Sequence, residues 1–387
     1  MKKLQIYKVG GSIRDKLLGI PSNDNDYVVV GSSIDEMLEL GFKQVGRDFP
    51  VFLHPHTHEE YALARSEKKS GIGYKGFKFQ FEKNITLEDD LKRRDLTINA
   101  IAQDNQGKLI DPFNGISDLQ NKTIRHVSIA FKEDPLRVIR AARFSAQFDF
   151  KIAPETFKLM CKITKDQNEL QSLPKERIML ELTKALNNPN IMTFFEILNQ
   201  CGALIQILPE CHILLTNEKL ARILKIAFNV INSISTTSTN DKLIILHYVI
   251  NLPYTSDEYL PAIEKSILSH EVKTLILMLL KLYPTILKLT GVTPKDMDAE
   301  TLQQIIMVMD PIRQKTRFAY FLKLVRAISF SDSKTGEINK IMSLFHNITQ
   351  LFKTINYSEL FENGISNDHG QIVYNKKLEI IRKYLKQ

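Results

Sequence analysis

Between Val9 and Val30 the chain reads VGGSIRDKLLGIPSNDNDYVVV, and few folds accommodate that order of residues. An alternating apolar strand, LQIYKV, runs into Gly10-Gly11-Ser12. Two glycines, lacking Cβ, let the backbone turn sharply and come close to a ligand. Ser12 to Leu18 then reads as a short helix whose first N–H groups face back over the turn, an arrangement that suits an anion and above all phosphate. Arg14 is placed to add charge there. Asp24 and Asp26 follow, two apart at the start of the strand YVVV, and on a strand such residues share a face. Paired carboxylates next to a phosphate cradle make a divalent-cation site, and oxygen ligands with phosphates favour Mg²⁺.

Taken singly, each part has an ordinary reading. A Gly-Gly pair is a turn, and Asp-x-Asp is a solvated strand end. In this order they resemble the arrangement of the DNA polymerase β nucleotidyltransferase superfamily. There, two carboxylates hold metals about 4 Å apart, one activating the attacking hydroxyl and the other stabilising the leaving oxygen.

With 387 residues the chain has room for about two to four domains. A net charge of +8 suits a polyanionic partner such as nucleic acid. Three scattered cysteines, Cys161, Cys201 and Cys211, give no disulfide framework and no Cys-x-x-Cys. They read as reduced thiols in a cytoplasm. The first residues, MKKLQIYKVGG, lack the apolar stretch of a signal peptide. No apolar run approaches the ~20 residues of a membrane span, so no membrane partner is expected.

Residues 1–124 mix short strands and helices. KQVG, VFLHP and EEYALARSE read as strands, and Asp104-Asn105-Gln106-Gly107 reads as a hairpin turn. The glycine-rich Ser70–Phe77 reads either as a mobile loop beside a site or as a plain hairpin connection. From about residue 125 apolar residues recur at helical spacing through LRVIRAARFSAQF, ETFKLMCKI, ERIMLELTKAL and MTFFEILNQCGAL, and this texture continues to Gln387. Ser233–Asn240 reads as a loop. The expected fold class is an α+β head, a small mixed sheet with helices, followed by an all-α remainder.

Two further segments carry chemistry. Thr86 to Ala102, TLEDDLKRRDLTINAIA, reads as a helix capped by Thr86, with Glu88, Asp89 and Asp90 in its first turn. Arg93, Arg94 and Asp95 then form either a solvated charged face or a place where an arginine clamps a triphosphate. In EDPLRVIRAARF, Asp134 can cap a helix that starts at Pro135. Asp134, Arg137, Arg140 and Arg143 stand three apart along one drifting stripe, facing RNA or phosphate, or else paired with solvent-side acids. Asp134 beside Arg137 is a structural salt bridge or something sharper. A carboxylate acceptor next to a guanidinium donor matches the Watson–Crick edges of cytosine and adenine and mismatches guanine and uracil. His54, His56 and His58 would share one face of a strand and could hold a metal, but Pro55 argues against a regular strand.

With these segments in view, the chain resembles the bacterial class II CCA-adding enzymes (tRNA nucleotidyltransferases). The resemblance rests on VGGSIRD with Asp24-x-Asp26, on KRRDLTINAIA, on EDPLRVIRAARF and on the connecting GRDFPVFLHPHTHEEYALAR. It covers about the first 210 residues and fades beyond. It implies a head at 1–124, a neck at 125–200, and a body and tail at 201–387. It implies addition of C, C and A to the 3′ end of tRNA from CTP and ATP, without a nucleic-acid template and with release of pyrophosphate. Asp24 and Asp26 would bind Mg²⁺. Gly11, Arg14 and Arg94 would hold the incoming nucleotide. Asp134 and Arg137 would read the base, with Arg140 and Arg143 close by on nucleotide or phosphate. The segment at 70–77 corresponds to a loop the family flexes between C and A addition. One departure is expected: some relatives carry an HD phosphohydrolase domain, but the nearest candidate here, Leu246-His247-Tyr248, lacks the aspartate. The body would then be a tRNA-binding scaffold gripping by shape and backbone charge. A poly(A) polymerase, or an enzyme adding only CC or only A, shares the same head. An idle RNA-binding module is opposed by intact Asp24, Asp26, Arg94 and Arg137. A small-molecule nucleotidyltransferase would need neither the basic balance nor the long helical half.

Overall fold

The computed structural model describes residues 4–21, 25–45, 51–69, 77–80, 83–234, 238–332, 334–356, 358 and 369–387. Asp24 and residues 70–76 of the glycine-rich segment lie outside them. The chain divides into two compact units, Met1–His212 and Ile213–Gln387.

The first unit opens on a seven-stranded mixed sheet. Its strands are β1 (Gln5–Val9), β2 (Asp26–Val30), β3 (Lys43–Val45), β4 (Val51–Leu53), β5 (Glu60–Leu63) and, further on, Ala102–Gln103 and Leu109–Ile110. The order places β1 and β2 at the centre, with β5 on one side and Ala102–Gln103 on the other. β2 runs parallel to β5 and antiparallel to β1. The apolar run of β2 is explained by burial on both faces. Val28 packs with Val9, Leu91, Ala100 and Ala102, while Val29 packs with Met37, Phe52 and Leu63. α1 (Gly11–Leu17) follows β1 directly, and Gly10 makes the bend at φ 79°, where a side chain would be strained. α2 (Ile34–Glu39) covers the Val29 face through Met37, and its cap is a reciprocal Ser33–Glu36 box. The Asp104–Gly107 turn forms as expected, closed by the Asp104 N–H on the Lys108 carbonyl at 3.0 Å.

The segment from Thr86 departs from the single helix expected. Thr86 caps α3 (Leu87–Lys92), but the helix stops there, and Leu96 is extended at φ −125° and ψ 145°. Side chains decide the break. The Asp95 carboxylate accepts the Leu96 N–H at 2.8 Å and the Asn99 amide at 3.0 Å, while Thr97 donates to Asp118 at 2.7 Å. Such local bonds offer the backbone an alternative to the helix. A 3₁₀ turn, Thr97–Asn99, then leads into the strand at Ala102.

After α4 (Gly115–Gln120) the first unit becomes helical: α5 (Leu136–Phe148), α6 (Pro154–Lys165), α7 (Gln167–Gln171), α8 (Lys175–Leu186) and α9 (Ile191–Gln200). α5 starts one residue later than expected. Pro135 is its cap, and Asp134 accepts the Leu136 N–H on its side chain. α5 packs on both α8 and α9.

The secondary-structure elements among the described residues of the second unit are all helices. Glu218–Asn232 packs on Thr239–Asn251 and on Lys315–Ser329, and Thr239–Asn251 packs on His270–Lys288. The polar loop ends earlier than expected because Ser238 accepts the Asp241 N–H and starts the Thr239 helix. Asp241, fully buried, pairs with Lys323 at 2.7 Å. Among the described residues no helix is long and apolar enough to cross a membrane.

Candidate active site

In the first unit a cavity of about 710 Å³ opens where β1, β2, β5, α5 and α8 meet. That volume is ordinary for a small-ligand site. Its floor is the Gly10–Gly11 turn, held by the Gly10 N–H on the Ile101 carbonyl at 3.3 Å. Ser12 Oγ is buried and has no hydrogen-bond partner among the described residues, and neither has Arg94 Nε. An Arg94 guanidinium nitrogen would lie 3.0 Å from a Cβ on Gly10, so Arg94 stands against the turn.

Asp26 begins β2 and faces the cavity, next to Val9 on one side and Glu60 on the other. Register places Glu60 of β5 directly beside Asp26, and residues paired this way point to the same face. Both are exposed. Glu60 is the residue the sequence did not single out. Only the parallel pairing of β2 with β5 brings it there, and adjacent Glu59 and Glu60 give no hint of which one faces the site.

Arginines form the opposite wall. Eight cationic side chains, Arg14, Arg93, Arg94, Arg137, Arg140, Arg143, Arg177 and Lys184, line the cavity with four carboxylates, Asp26, Glu60, Asp95 and Asp134. Such an excess attracts an anion. Arg14 is buried, donates to Asn99 at 2.6 Å and pairs with Asp15 at 2.7 Å. Its guanidinium lies 4.9 Å from the ring centres of both Phe144 and Phe148. Arg94 pairs with buried Asp90 at 3.2 Å, and Arg93 pairs with the same carboxylate at 2.5 Å.

Along α5 the expected stripe exists, but its partners are buried acids rather than solvent-side ones. Arg140 donates to Asp95 at 2.8 Å and lies 3.6 Å from Glu181 of α8, while Arg143 donates to Glu181 at 2.5 Å. Burial disfavours the charge on Asp95, yet Arg140, Asn99 and Arg137 outweigh it and hold the carboxyl well below the usual range. Arg140 is raised in turn, chiefly by Asp95. Arg143 is lowered by burial. Asp134 and Arg137 do not pair with each other. Arg137 donates to the carbonyls of Ala130 at 2.8 Å and Arg93 at 2.6 Å, and Asp134 pairs with Arg177 of α8 at 2.9 Å. Arg177 and Glu181, four apart on α8, were also missed. The one sequence signal was a glutamate at an apolar position of an amphipathic helix.

His54, His56 and His58 lie in a turn instead of a strand, with His58 at φ 58°. Among the described residues no three His, Cys, Asp or Glu side chains gather as a metal-binding group.

The first unit is thus an α+β head, with a cavity lined by carboxylates and arginines, that continues into helices. Residues 6–125 match the model of the poly A polymerase head domain, and 149–215 match the model described as a probable RNA and SrmB-binding site of polymerase A. A Multifunctional CCA protein of Mannheimia succiniciproducens is 59% identical over 214 residues, which is 54% of this chain and 51% of the relative. The chain thus spans about half the length of that curated relative. Among solved structures, a Bacillus stearothermophilus CCA-adding enzyme in complex with CTP superposes at TM-score 0.68 with 21% identity, over 98% of this chain and 89% of that one. A Thermotoga maritima CCA-adding enzyme complexed with tRNA gives 0.64 and 21%, over 99% and 91%. At such identity these two show a shared fold. The first unit thus carries segments similar to a poly A polymerase head and to its RNA-binding continuation, and the chain as a whole shares the fold of solved CCA-adding enzymes.

Proposed function

We propose that this protein adds and repairs the CCA end of tRNA from CTP and ATP, with Mg²⁺, in the cytoplasm. The observation that carries this is the pairing of Asp26 with Glu60 on one rim of a cavity whose other walls are a glycine turn and an arginine-lined helix. The donor set suits the metal: exposed carboxylate oxygens, with room for phosphate oxygens beside them. Asp24, two residues before Asp26, would join the set. Bound there, Mg²⁺ would favour an ionised 3′-hydroxyl and offset charge on the departing pyrophosphate. The tRNA 3′-oxygen attacks the α-phosphorus of the incoming nucleotide, and the bond to the β-phosphate oxygen breaks. Gly11 lets the triphosphate approach the backbone, unpartnered Ser12 Oγ offers a hydrogen bond, and Arg14 and Arg94 set positive charge behind it. Arg140 and Arg143 present further charge along the nucleotide.

Asp134 and Arg137 sit at the start of α5, on the same cavity. Arg177 fixes the orientation of the Asp134 carboxylate, which then accepts from an amino group of C or A, while Arg137 donates to the ring nitrogen. Labour would divide between a catalytic head at 1–124, a templating neck at 125–200 and a tRNA-holding remainder at 201–387. Three free cysteines suit a reducing cytoplasm.

The test uses three tRNA transcripts, ending before CCA, after the first C and after CC, incubated with Mg²⁺, labelled CTP and ATP, and UTP and GTP as controls. Addition that stops at CCA on all three is expected. It should be abolished by Asp26→Ala with tRNA binding retained, and Arg137→Ala should admit UTP or GTP. A long A tail would identify a poly(A) polymerase, the reading favoured by the description of the matched head domain. Stopping at CC, or adding A alone, would identify a partial enzyme. No incorporation would overturn the proposal.

A further inference from the structure

The histidine-rich turn HPHTHE, His54 to Glu59, has no part in the chemistry proposed above. It leaves β4 at Leu53 and enters β5 at Glu60. Its interior is well tied. His54 Nδ1 accepts the Thr57 N–H at 3.2 Å, the His54 ring stacks on Tyr61 at 5.7 Å, and the His54 N–H donates to the Glu59 carbonyl at 3.0 Å. The side chain this turn presents is Glu59, whose carboxylate collects three donors. Asn25 Nδ2 lies at 2.9 Å, the Thr57 hydroxyl at 2.9 Å and the Tyr27 hydroxyl at 3.3 Å.

Asn25 is the residue between Asp24 and Asp26. Backbone pairing of β2 with β5 begins one residue later, at Asp26 with Glu60, so among the described residues the ladder does not hold Asn25. The Asn25–Glu59 bond extends that ladder through side chains. It does so from behind. Asn25 and Tyr27 alternate with Asp26, and Glu59 and Tyr61 alternate with Glu60, so the clamp lies on the opposite face from the carboxylates. Tyr27 and Tyr61 stack at 4.5 Å on that same face and stiffen it. Metal coordination tolerates only a few tenths of an ångström of error in its oxygens, and groups behind the ligands commonly set that placement.

We infer that Glu59 is a positioning residue, which fixes the start of β2 at Asp26 through Asn25 and is itself held by the His54–Thr57 turn. The inference rests on the proposed metal role of Asp26. Glu59 touches neither metal nor nucleotide.

The test is a Mn²⁺ titration of the full chain followed by electron paramagnetic resonance, without nucleotide or tRNA, with Asp26→Ala as the blank. Thermal melting of each variant is recorded alongside. Glu59→Ala is expected to weaken Mn²⁺ binding about tenfold while melting within a few degrees of the parent. Glu59→Gln keeps a carbonyl for Asn25 and should recover most of the affinity. Asn25→Ala should reproduce the loss, and the double variant should bind no worse than either single one, because both remove the same contact. Should Glu59→Ala misfold, the Asn25→Ala and Glu59→Gln pair decides the matter. Parental Mn²⁺ affinity in Glu59→Ala or Asn25→Ala would overturn the clamp and leave the metal site standing. No Mn²⁺ binding by the parent beyond the blank would overturn the metal reading, and the clamp with it.

Discussion

Gly115 sits where no side chain fits. A Cβ there would lie 2.2 Å from the Thr97 carbonyl oxygen and 2.8 Å from its carbon. Both atoms are backbone, so neither can swing aside. The turn that would have to move, Thr97–Asn99, carries the amide that holds Arg14. Gly115→Ala should therefore cost about 3 kcal/mol of stability and weaken CTP binding as well, checked by denaturant unfolding and by calorimetric titration. At this scale the sequence was uneven. Asp134, Arg137, Arg140 and Arg143 were visible as a stripe because helical spacing is fixed. Their partners were not, because Asp95 and Glu181 lie about 40 residues away on either side, at distances only the fold closes. Asp26 was legible from its neighbours, whereas Glu60 needed the register of two parallel strands.

The elements around the site are held by charge as much as by packing. From Arg14 the contacts run through Asn99, Asp95, Arg140 and Glu181 to Arg143, joining α1, the 3₁₀ turn, α5 and α8. Glu181 is only 2% exposed and faces two arginines. Removing it leaves uncompensated buried charge, so Glu181→Ala should destabilise the protein by about 3–5 kcal/mol. Glu181→Gln, which keeps the acceptor, should cost less by the same unfolding measurement. The ladder also sets the response to acid. Buried Asp90 and Asp95 are both held below the usual carboxyl range by arginines that outweigh burial. Unfolded, such groups titrate near 3.9. Below about pH 5 the unfolded chain therefore takes up more protons, and stability falls as pH drops towards the folded values. Unfolding free energies at pH 7, 5 and 4 should show this decline, and Asp95→Asn should flatten it while lowering the pH 7 value. The helix expected across 86–102 failed at this scale for the same reason. Apolar spacing carried no sign that Asp95 and Asn99 would bond to each other and end it.

For the whole molecule, the α+β head and the helical remainder were legible because strand alternation gives way to helical spacing near residue 125, and the texture of a chain survives folding. The second unit was legible only as helical, since it has no motif whose chemistry could be read. Charge carries a prediction at this scale. If tRNA is the partner proposed above, a chain of net +8 should hold it largely through phosphates. Its affinity for tRNA, measured by filter binding between 50 and 200 mM salt, should fall steeply and linearly on logarithmic axes, on the order of a hundredfold or more. A flat dependence would mean that shape and base contacts dominate.

The place of β1 in the sheet has a consequence for how the protein is made. It pairs with β2 almost at once, but its other edge waits for Ala102–Gln103, which leaves the ribosome about 95 residues later, counting from Lys8 to Gln103. At ordinary synthesis rates that is an interval of roughly 5–20 s. Through it a nascent sheet edge stands open to any other strand that passes. The strand is short and carries a lysine at Lys8, features that discourage such pairing. Glu181 arrives later still, so the arginine stripe of α5 spends part of every synthesis cycle without its counter-charge. Strand order thus leaves one sheet edge open until Gln103 has emerged, and the arginine stripe uncompensated until Glu181 follows it.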